Sequence, residues 1–459
     1  MIRGAEIKIG QRSEKMFIKR IVTAFMIITL AAAGAYAATE EQVEPIAETD
    51  EVLSELLAKA AENNPQIAAA AQRREAAEKQ IDQAQAQFGP KAAIGTGALW
   101  LRDGITVSNS ALPFDVSVLN THTYTAAAVL TQTIYAGGSL TAQKKAAKLA
   151  RDAAIAEEVR TGQGVSNSVR RAYYELRCAQ AKEQVAAEAV ELSRKHMEQA
   201  EKLFKAGVVA KNDVLRSKVE VASSELDEIR AANGTAVALT ALCRAVGAEL
   251  PKETEQSAPL ESVLAQGAPA DGQGTDADVE EAWENREELK VYSLLSQQAE
   301  SLARAEKGQL LPQILGSVGY IAEGDNFFPS DISEPAVGIG IYWNIFDNGE
   351  IRAKTEEAKA KAKELLFLLE DTKNEIRMEV TQAELNIRSA VSRLEVAQRQ
   401  LAESREDYRI AVRRYEENVG TNLDALDARL ALTNSMSEVV TAVYDIKSAE
   451  ADLIYAMGK

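Results

Sequence analysis

Proline is missing from two long stretches of this 459-residue chain, although ten prolines occur elsewhere in it. Neither residues 114–250 nor residues 336–459 contain one. Because proline interrupts the interior of an α-helix, each stretch can form helices of unusual length. Aromatic residues make up only 5% of the sequence, and alanine supplies much of its 46% hydrophobic content. This composition disfavours one large globular core and suits long helices that pack closely.

The residue types that carry most enzyme chemistry are also scarce. The chain has two cysteines and two histidines, and it shows no zinc-ligand spacing, phosphate-binding loop or Ser-His-Asp order. We therefore predict no enzyme activity, no cofactor and no metal site, and we expect His122 and His196 to be surface or lumen residues. The net charge of −17 disfavours nucleic acid as a partner, because phosphates repel an acidic surface.

Residues 1–37 have the pattern of a secretory signal peptide. A basic region precedes a short apolar core at 21–30, and small residues at positions 35 and 37 fit a cleavage site. Translation from Met16 would leave a signal of normal length, so either Met1 or Met16 can be the start. A retained N-terminal anchor helix is the alternative interpretation. Beyond residue 37 there is no hydrophobic run of 18 residues, so the sequence predicts no transmembrane helix.

Export would place Cys178 and Cys243 where disulfides can form. The two residues fall at similar heights if the chain folds into an antiparallel hairpin between them. Whether they are bonded, or are two small packing residues, stays open because bonding requires Cα atoms about 5.5 Å apart.

The two proline-free arms are copies of one another. A shift of 211 residues aligns residues 134–138 (IYAGG) with residues 345–349 (IFDNG). Upstream the shift becomes 222, where Pro90 meets Pro312. A repeat of this length is two whole supersecondary units rather than the period of a solenoid.

Each arm carries the alternating 3-4 spacing that is typical of a coiled coil. In the second arm it runs through twelve positions from Ile376 to Tyr415, and matching positions run from Val165 to Phe204. This period predicts left-handed packing of neighbouring helices, although a hairpin that buries a single stripe would have the same pattern. Glycine or asparagine at residues 205–207 and 417–420 predicts the turn of each hairpin.

Between the helices lie segments rich in small and β-prone residues. In residues 336–346, Val337, Ile339 and Ile341 alternate with small or polar residues. This pattern fits an outer-membrane strand with one face toward lipid, and it also fits a half-buried strand of a soluble sheet. Four strands cannot close a barrel, and lipid excludes an open sheet edge, so membrane strands would require several chains to share one barrel.

The predicted segments form two similar halves behind the signal peptide. The first repeat covers 38–250, with helices at 52–89, strands at 91–135 and a helical hairpin at 139–249. The connection covers 251–276, and the second repeat covers 277–459, with a helix at 286–310, strands at 312–346 and a helical hairpin at 349–457.

This order resembles the TolC family of outer-membrane efflux proteins across essentially the whole chain after the signal peptide. Four segments carry the resemblance: residues 62–67 (ENNPQI), 203–215 (LFKAGVVAKNDVL), 343–350 (WNIFDNGE) and 415–428 (YEENVGTNLDALDA). The resemblance implies a mainly α fold with a small β-barrel part. Each chain of a homotrimer would give four strands to a twelve-stranded barrel in outer-membrane lipid, continuous with an α-helical tunnel across the periplasm.

The same resemblance implies a passive exit duct in a tripartite efflux pump or a type I secretion system. Energy would come from an inner-membrane transporter of the RND, ABC or MFS type. A periplasmic adaptor, or membrane fusion protein, would connect it to the duct by docking at the helical turns. The docking residues would be Gly207, Val208, Asn418, Val419 and Gly420.

The resemblance also assigns roles near the second turn. Asp424 and Asp427 match two aspartates that ring the periplasmic entrance, where close carboxylates attract cations and raise one another's pKa. Without the resemblance, both are solvated acids favoured at a helix start.

Other residues match the polar contacts that hold the family's tips closed. They are Tyr415, its expected partner Asp213 on the neighbouring tip, and Asn212, which stands in place of a threonine. The family's arginine corresponds to Gly420, so closure is expected to be weaker or built differently.

Two rival classes share some of these features. A periplasmic adaptor also has a signal peptide and a helical hairpin, but it has one hairpin and a larger β content. A soluble coiled-coil scaffold without a pore leaves the alternating residues 336–346 unexplained.

Overall fold

The computed structural model describes residues 51–102, 105–107, 116–119, 122–250, 258–266, 276–327, 329 and 332–459. The predicted signal peptide and most of the predicted connection at 251–276 lie outside these ranges. Among the residues so described, no helix combines the length and the apolar character that crossing a lipid bilayer requires.

Most of the described residues are helical. The helices are α1 (Glu51–Asn63), α2 (Pro65–Ala86), α3 (Ser139–Lys205), α4 (Lys211–Val246), α5 (Leu260–Leu264), α6 (Asp276–Asn285), α7 (Glu287–Gly308), α8 (Glu350–Glu416) and α9 (Asn422–Ala456). The strands are β1 (Lys91–Trp100), β2 (Ile105–Val107), β3 (Val116–Leu119), β4 (His122–Ala136), β5 (Gln313–Gly324) and β6 (Ile332–Tyr342).

Helices α3 and α8 contain 67 residues each, which corresponds to about 100 Å at 1.5 Å per residue. In each hairpin a shorter helix packs beside the long one, α4 on α3 and α9 on α8. Helix α2 also packs on α3, and α7 packs on both long helices.

The short helices meet end to end. Asn64 Nδ2, at the start of α2, donates to the Ala245 carbonyl near the end of α4 at 2.7 Å. Arg286 Nη1, at the start of α7, donates to the Ala456 carbonyl at the end of α9 at 3.3 Å. Each long helix is therefore accompanied by two shorter helices in succession, and the junction satisfies carbonyls that the helix end leaves free.

The 3-4 pattern of α8 faces the protein interior. Of its twelve positions from Ile376 to Tyr415, nine are buried, and Ile387, Ser404 and Tyr408 are partly buried. The stripe that this spacing predicts is therefore buried along one side of α8, as expected both for a coiled coil and for a simple helical hairpin.

The same backbone conformations recur 211 residues apart. Left-handed residues occur at the start of each long helix, at each hairpin turn and after each short partner helix. They are Gly137 and Gly138 with Asn348 and Gly349, Gly207 with Asn418, and Gly247 with Gly458. Since few L residues adopt positive φ cheaply, each such position needs Gly or Asn.

The strands form a small open sheet with the antiparallel order β1-β4-β5-β6. The central pair joins β4 of the first arm to β5 of the second, while β1 and β6 are the edges. Ile94, Val337 and Ile339 are 86%, 80% and 75% exposed, so one sheet face presents large apolar side chains. Strand β6 ends at Tyr342, although the prediction extended the strands to residue 346. Strands β2 and β3, which lie between β1 and β4 along the chain, form a separate antiparallel pair.

The helical core consists of several apolar clusters along the bundle. Part of the predicted connection at 251–276 contributes to one of them: Val263 and Leu264 on α5 are buried among residues of α3, α8 and α9. Gln398 Nε2 donates to the Gln266 carbonyl at 2.8 Å, and Gln184 Nε2 donates to the Ala258 carbonyl at 3.0 Å. The described part of this segment is thus held across the helices.

The two cysteines are free thiols, which answers the question that the sequence left open. Cys178 packs against the cluster that contains α5, and its burial raises the pKa of its thiol. It is a small packing residue.

Two adjacent glycines at the junction of β4 and α3 differ in the space that surrounds their backbone. A Cβ on Gly137 would lie 2.1 Å from the Gly308 carbonyl oxygen, whereas a Cβ on Gly138 meets nothing closer than 3.9 Å. Both have positive φ, so Gly138→Ala is expected to cost about 1–2 kcal/mol from backbone strain. Gly137→Ala should destabilise clearly more, as measured by thermal unfolding of the detergent-solubilised protein. Equal midpoints for the two variants would contradict this packing.

Candidate functional site at the helical tips

The two hairpin turns, which we call the helical tips, are residues 206–210 and 417–421. Both long helices end in a Schellman motif: Val208 N donates to the Leu203 carbonyl, and Val419 N donates to the Arg414 carbonyl, at 2.9 and 2.8 Å. Gly207 and Asn418 provide the left-handed residue that this motif requires. The tips are therefore defined turns.

The predicted docking residues lie at the surface of these turns. Val208 and Val419 are 42% and 65% exposed, and a Cβ on Gly207 would meet open space. Gly420 differs, because a Cβ there would lie 2.9 Å from the Arg414 Cβ. This contact gives a physical reason for glycine at position 420.

Asp424 has a local structural partner. Its Oδ2 accepts from the Thr421 backbone N, and the Thr421 Oγ1 accepts from the Asp424 backbone N, both at 3.1 Å. This reciprocal capping box satisfies two of the free amides at the start of α9. The hydrogen bond from the Thr421 amide holds the pKa of the exposed Asp424 carboxyl below its usual range.

Asp427 is exposed one helical turn beyond Asp424. The first tip lacks an equivalent capping box, because Ala210 occupies the N-cap of α4. Asn212 is exposed and Asp213 is partly buried in the first turn of α4. The structure thus places acids at both helix starts, and only the second start has the box.

Tyr415 is buried at 2% exposure in a cluster with Ala200, Val214 and Ala425. Its hydroxyl has no hydrogen-bond partner within the described chain, so the predicted bond to Asp213 is not formed there. Burial, and secondarily the Asp213 charge, raise the pKa of Tyr415. The matching residue of the first arm, Phe204, is 41% exposed, so the two tips differ in what they bury.

A buried histidine lies beside Tyr415. His196 Nε2 is 2.6 Å from Asn422 Oδ1, and the imidazole and phenol ring centroids are 5.0 Å apart. The expectation that His196 is a surface or lumen residue is therefore wrong. Helix α3 packs against both α4 and α9, so it buries a second stripe that the single 3-4 pattern does not show.

Polar contacts continue from Asn422 into the first hairpin. Asn422 Nδ2 donates to the Asp213 carbonyl at 3.1 Å, and the Ser217 hydroxyl lies 3.5 Å from Asn422 Oδ1. Asn422 therefore contacts both α3 and α4 from the first residue of α9.

A second link lies further along α9. Arg429, 3% exposed, forms an ion pair with Glu220 of α4, and its Nη1 is 3.5 Å from the Ser224 hydroxyl. Ser224 in turn lies 2.9 Å from Ser193 of α3. The sequence does not predict this link, because nothing in the local pattern shows that a charged residue of one repeat meets the other repeat.

Potential metal ligands do not cluster within the described ranges of one chain. No group of three or more His, Cys, Asp or Glu side chains there could hold a metal ion. The tips present exposed acidic side chains at the surface. Beneath them lie the polar contacts of His196 and Asn422 and the ion pair of Arg429 with Glu220.

Solved structures share this arrangement of long hairpins and a small sheet. The outer membrane protein VceC of Vibrio cholerae is 22% identical, with 88% of this chain and 96% of that chain covered and a TM-score of 0.70. The CmeC outer membrane channel of Campylobacter jejuni is 17% identical, with 89% and 86% covered and a TM-score of 0.72. The open-state MtrE outer membrane channel of Neisseria gonorrhoeae is 19% identical, with 89% of each chain covered and a TM-score of 0.68. The fold is that of an outer-membrane channel protein.

The family follows from the sequence match. The model of the outer membrane efflux protein family matches residues 56–248 and 279–459, and the chain belongs to this family. It is accordingly an outer-membrane efflux protein, and its general function is that of an exit duct. The family and these solved structures are channel proteins rather than enzymes. No curated protein sequence matches the chain.

Substitution of Asp424 tests whether its carboxylate stabilises the start of α9 through the capping box, independently of any role in a pore. Asp424→Ala removes the acceptor for the Thr421 amide, so it should lower the thermal midpoint of the helical bundle. Asp427→Ala, which changes an exposed acid on the same helix, is the matched control and should leave the midpoint nearly unchanged. Because the box requires an ionised Asp424 with a lowered pKa, its contribution should be present above the usual value of 3.8 and be lost as pH falls below it. Equal midpoints for both variants would contradict this role.

Proposed function

We propose that this chain is the outer-membrane exit duct of a tripartite efflux pump or a type I secretion system, working as a homotrimer. The observation that carries the proposal is the combination of an open four-stranded sheet, which exposes apolar residues, with two hairpins whose tips lie about 100 Å from the sheet along the long helices. A helical duct of that length matches the need to reach partners across the periplasm.

The open sheet supports a shared barrel. Both edges, β1 and β6, lack a neighbouring strand in the described chain, and unpaired edges are not tolerated in lipid. Three chains that pair β6 of one with β1 of the next would contribute twelve strands. The exposed Ile94, Val337 and Ile339 would then face the hydrocarbon.

The recurrence of backbone conformations at a spacing of 211 supports two copies of one ancestral unit. Three chains of two hairpins each give six similar hairpins around one axis. We propose that these hairpins form the tunnel, and that the helical tips form its periplasmic entrance.

Asp424 and Asp427 would form an acidic constriction at that entrance. Both carboxylates are exposed on one helix face, and three chains would bring six of them together. Close carboxylates attract cations and repel anions, and they can bind a divalent ion through oxygen.

The partners belong to the same proposal. A periplasmic adaptor would dock on the exposed Val208 and Val419 and the turns around them, and an RND, ABC or MFS transporter would supply the energy. The rival interpretation, a coiled-coil adaptor or scaffold without a pore, is disfavoured by the second hairpin and by membership of an outer-membrane efflux family.

Conductance tests the duct and its constriction together. Purified protein in planar bilayers is expected to give cation-selective steps that divalent ions block. Asp424→Asn/Asp427→Asn should reduce the cation selectivity and the block. Asparagine is chosen because its side-chain oxygen still accepts from the Thr421 amide, so the helix start is preserved.

The control for this experiment is Glu370→Gln/Asp371→Asn, which removes two exposed acids far from the tip of α8. It should behave as wild type. Steps that are unaffected by the tip substitutions would leave a channel without an acidic constriction. A folded trimer that never conducts, even with adaptor added, would favour the scaffold.

Two adjacent residues of β6 test which sheet face meets lipid. Ile339→Arg is expected to weaken insertion by about 2–4 kcal/mol if it lies near the bilayer midplane. Gly340→Arg points to the other face, where a Cβ meets open space, and should have a much smaller effect. The measurement is the folded fraction in lipid vesicles across a urea series. Equal losses for both would contradict the lipid-facing assignment.

A further inference from the structure

The buried polar residues under the helical tips join the two hairpins of one chain. We define the clasp as His196 and Glu220 of the first hairpin with Asn422 and Arg429 of the second. We propose that the clasp holds the hairpins together and that protonation of His196 loosens it, so that the tip end of each chain is released in mildly acidic surroundings. This proposal rests on the proposed role of the tips as the entrance.

The hydrogen bonds fix the proton on His196. Asn422 Nδ2 already donates to the Asp213 carbonyl, so Asn422 Oδ1 is the acceptor that faces the imidazole. The neutral ring therefore donates from Nε2, and its proton is part of the link between α3 and α9. A neutral His196 satisfies the arrangement without a second buried charge.

The charges around the ring decide what a second proton would do. The titratable groups that face it are Glu220 from α4, Arg429 from α9 and Tyr415 from α8. Glu220 already pairs with Arg429, so an imidazolium would add a positive charge that this pair does not neutralise. The Tyr415 hydroxyl has no hydrogen-bond partner among the described residues, and it supplies no negative charge at neutral pH.

Burial lowers the pKa of His196 from its ordinary value of 6.5, the Asn422 bond opposes this, and Arg429 adds to the lowering. The released state, in which water reaches the ring, therefore takes up the proton more readily than the closed state. The stability of the clasp is complete above about pH 6.5 and decreases as pH falls below it. The change is limited to one proton, so the equilibrium between closed and released states shifts by at most about tenfold per pH unit.

The clasp lies close to the helical tips, so a change at His196 acts on the end of the bundle where the two hairpins turn. His196 lies nine residues before the end of α3, about 14 Å along the helix, and Asn422 is the first residue of α9. Its residues, with Ser217 and Ser224, connect the second hairpin to the first just above the turns. Weakening them leaves the small apolar cluster around Tyr415 to hold the tip end, while the larger apolar clusters further along the helices remain packed.

The test measures the distance between the hairpins directly. Cys178 and Cys243 are replaced by serine, and spin labels are placed at the exposed Val208 and Val419. Labelled chains are diluted with unlabelled chains so that pairs within one chain dominate. Pulsed electron paramagnetic resonance between pH 8 and pH 5.5 should show a growing population at longer distance.

The variants separate His196 from other titrating groups. His196→Gln retains a donor for Asn422 but cannot gain a proton, so its distances should not change with pH. His122→Gln removes the other histidine, in β4, and should behave as wild type. Labels at Val159 and Phe367, exposed and away from the tips, should report no change in any protein.

Failure of the clasp and failure of the duct are distinguishable. A pH response that persists in His196→Gln, or a wild-type distance that is constant over the range, would overturn the clasp whether or not the protein conducts. If His196→Gln does not fold, Asn422→Asp serves instead, because a carboxylate beside the ring raises the pKa of His196 in the closed state and should abolish or reverse the loosening at low pH. An unchanged transition in that variant would also overturn the proposal.

Discussion

The long helices depend on a stripe of small and apolar side chains that each of them buries along its length. Most of the stability of a helix in a protein comes from the packing of one face, and the 3-4 spacing provides such a face on each 67-residue helix. Alanine at many of these positions lets neighbouring helices approach closely. Because small residues replace large aromatic ones, the core is divided into separate apolar clusters along the bundle, and each contributes part of the stability.

The ends of the short helices are the second requirement. Because no single partner helix matches α3 or α8 in length, α2 with α4 and α7 with α9 divide the task, and each pair must join without exposing unpaired backbone groups. Asn64 and Arg286 provide these contacts at corresponding places, one with an amide and the other with a guanidinium. Asn64 donates to a carbonyl near the C-terminus of α4, and Arg286 donates to a carbonyl at the C-terminus of α9. Gly247 and Gly458 allow the backbones to come together there, with a Cβ position only 2.9 Å from the neighbouring chain segment.

The two helical tips have the same backbone turn but differ in their side-chain contacts. Both turns use the same Schellman hydrogen bonds, yet the second tip has a capping box and buries Tyr415, while the first exposes Phe204. Charged and polar residues that would be costly to bury singly are paired across the hairpins, as Arg429 is with Glu220. Such pairs add specificity to an interface that an alanine-rich stripe alone would leave loosely defined.

The elements that sequence alone determined are those controlled by local chemistry. Missing proline and the 3-4 period predicted the long helices, glycine and asparagine predicted the turns, and alternation predicted the strand at Val337 to Ile341. Only the tertiary structure decided which faces meet. It buried His196, because α3 serves two partners at once, and it left the two cysteines unbonded. It engaged Asp424 with Thr421, left Tyr415 without the bond to Asp213, and paired Arg429 with a glutamate 209 residues away in the chain. A periodic pattern reports the side that a helix buries, but contacts between distant segments depend on how neighbouring helices are placed, and no local pattern encodes that.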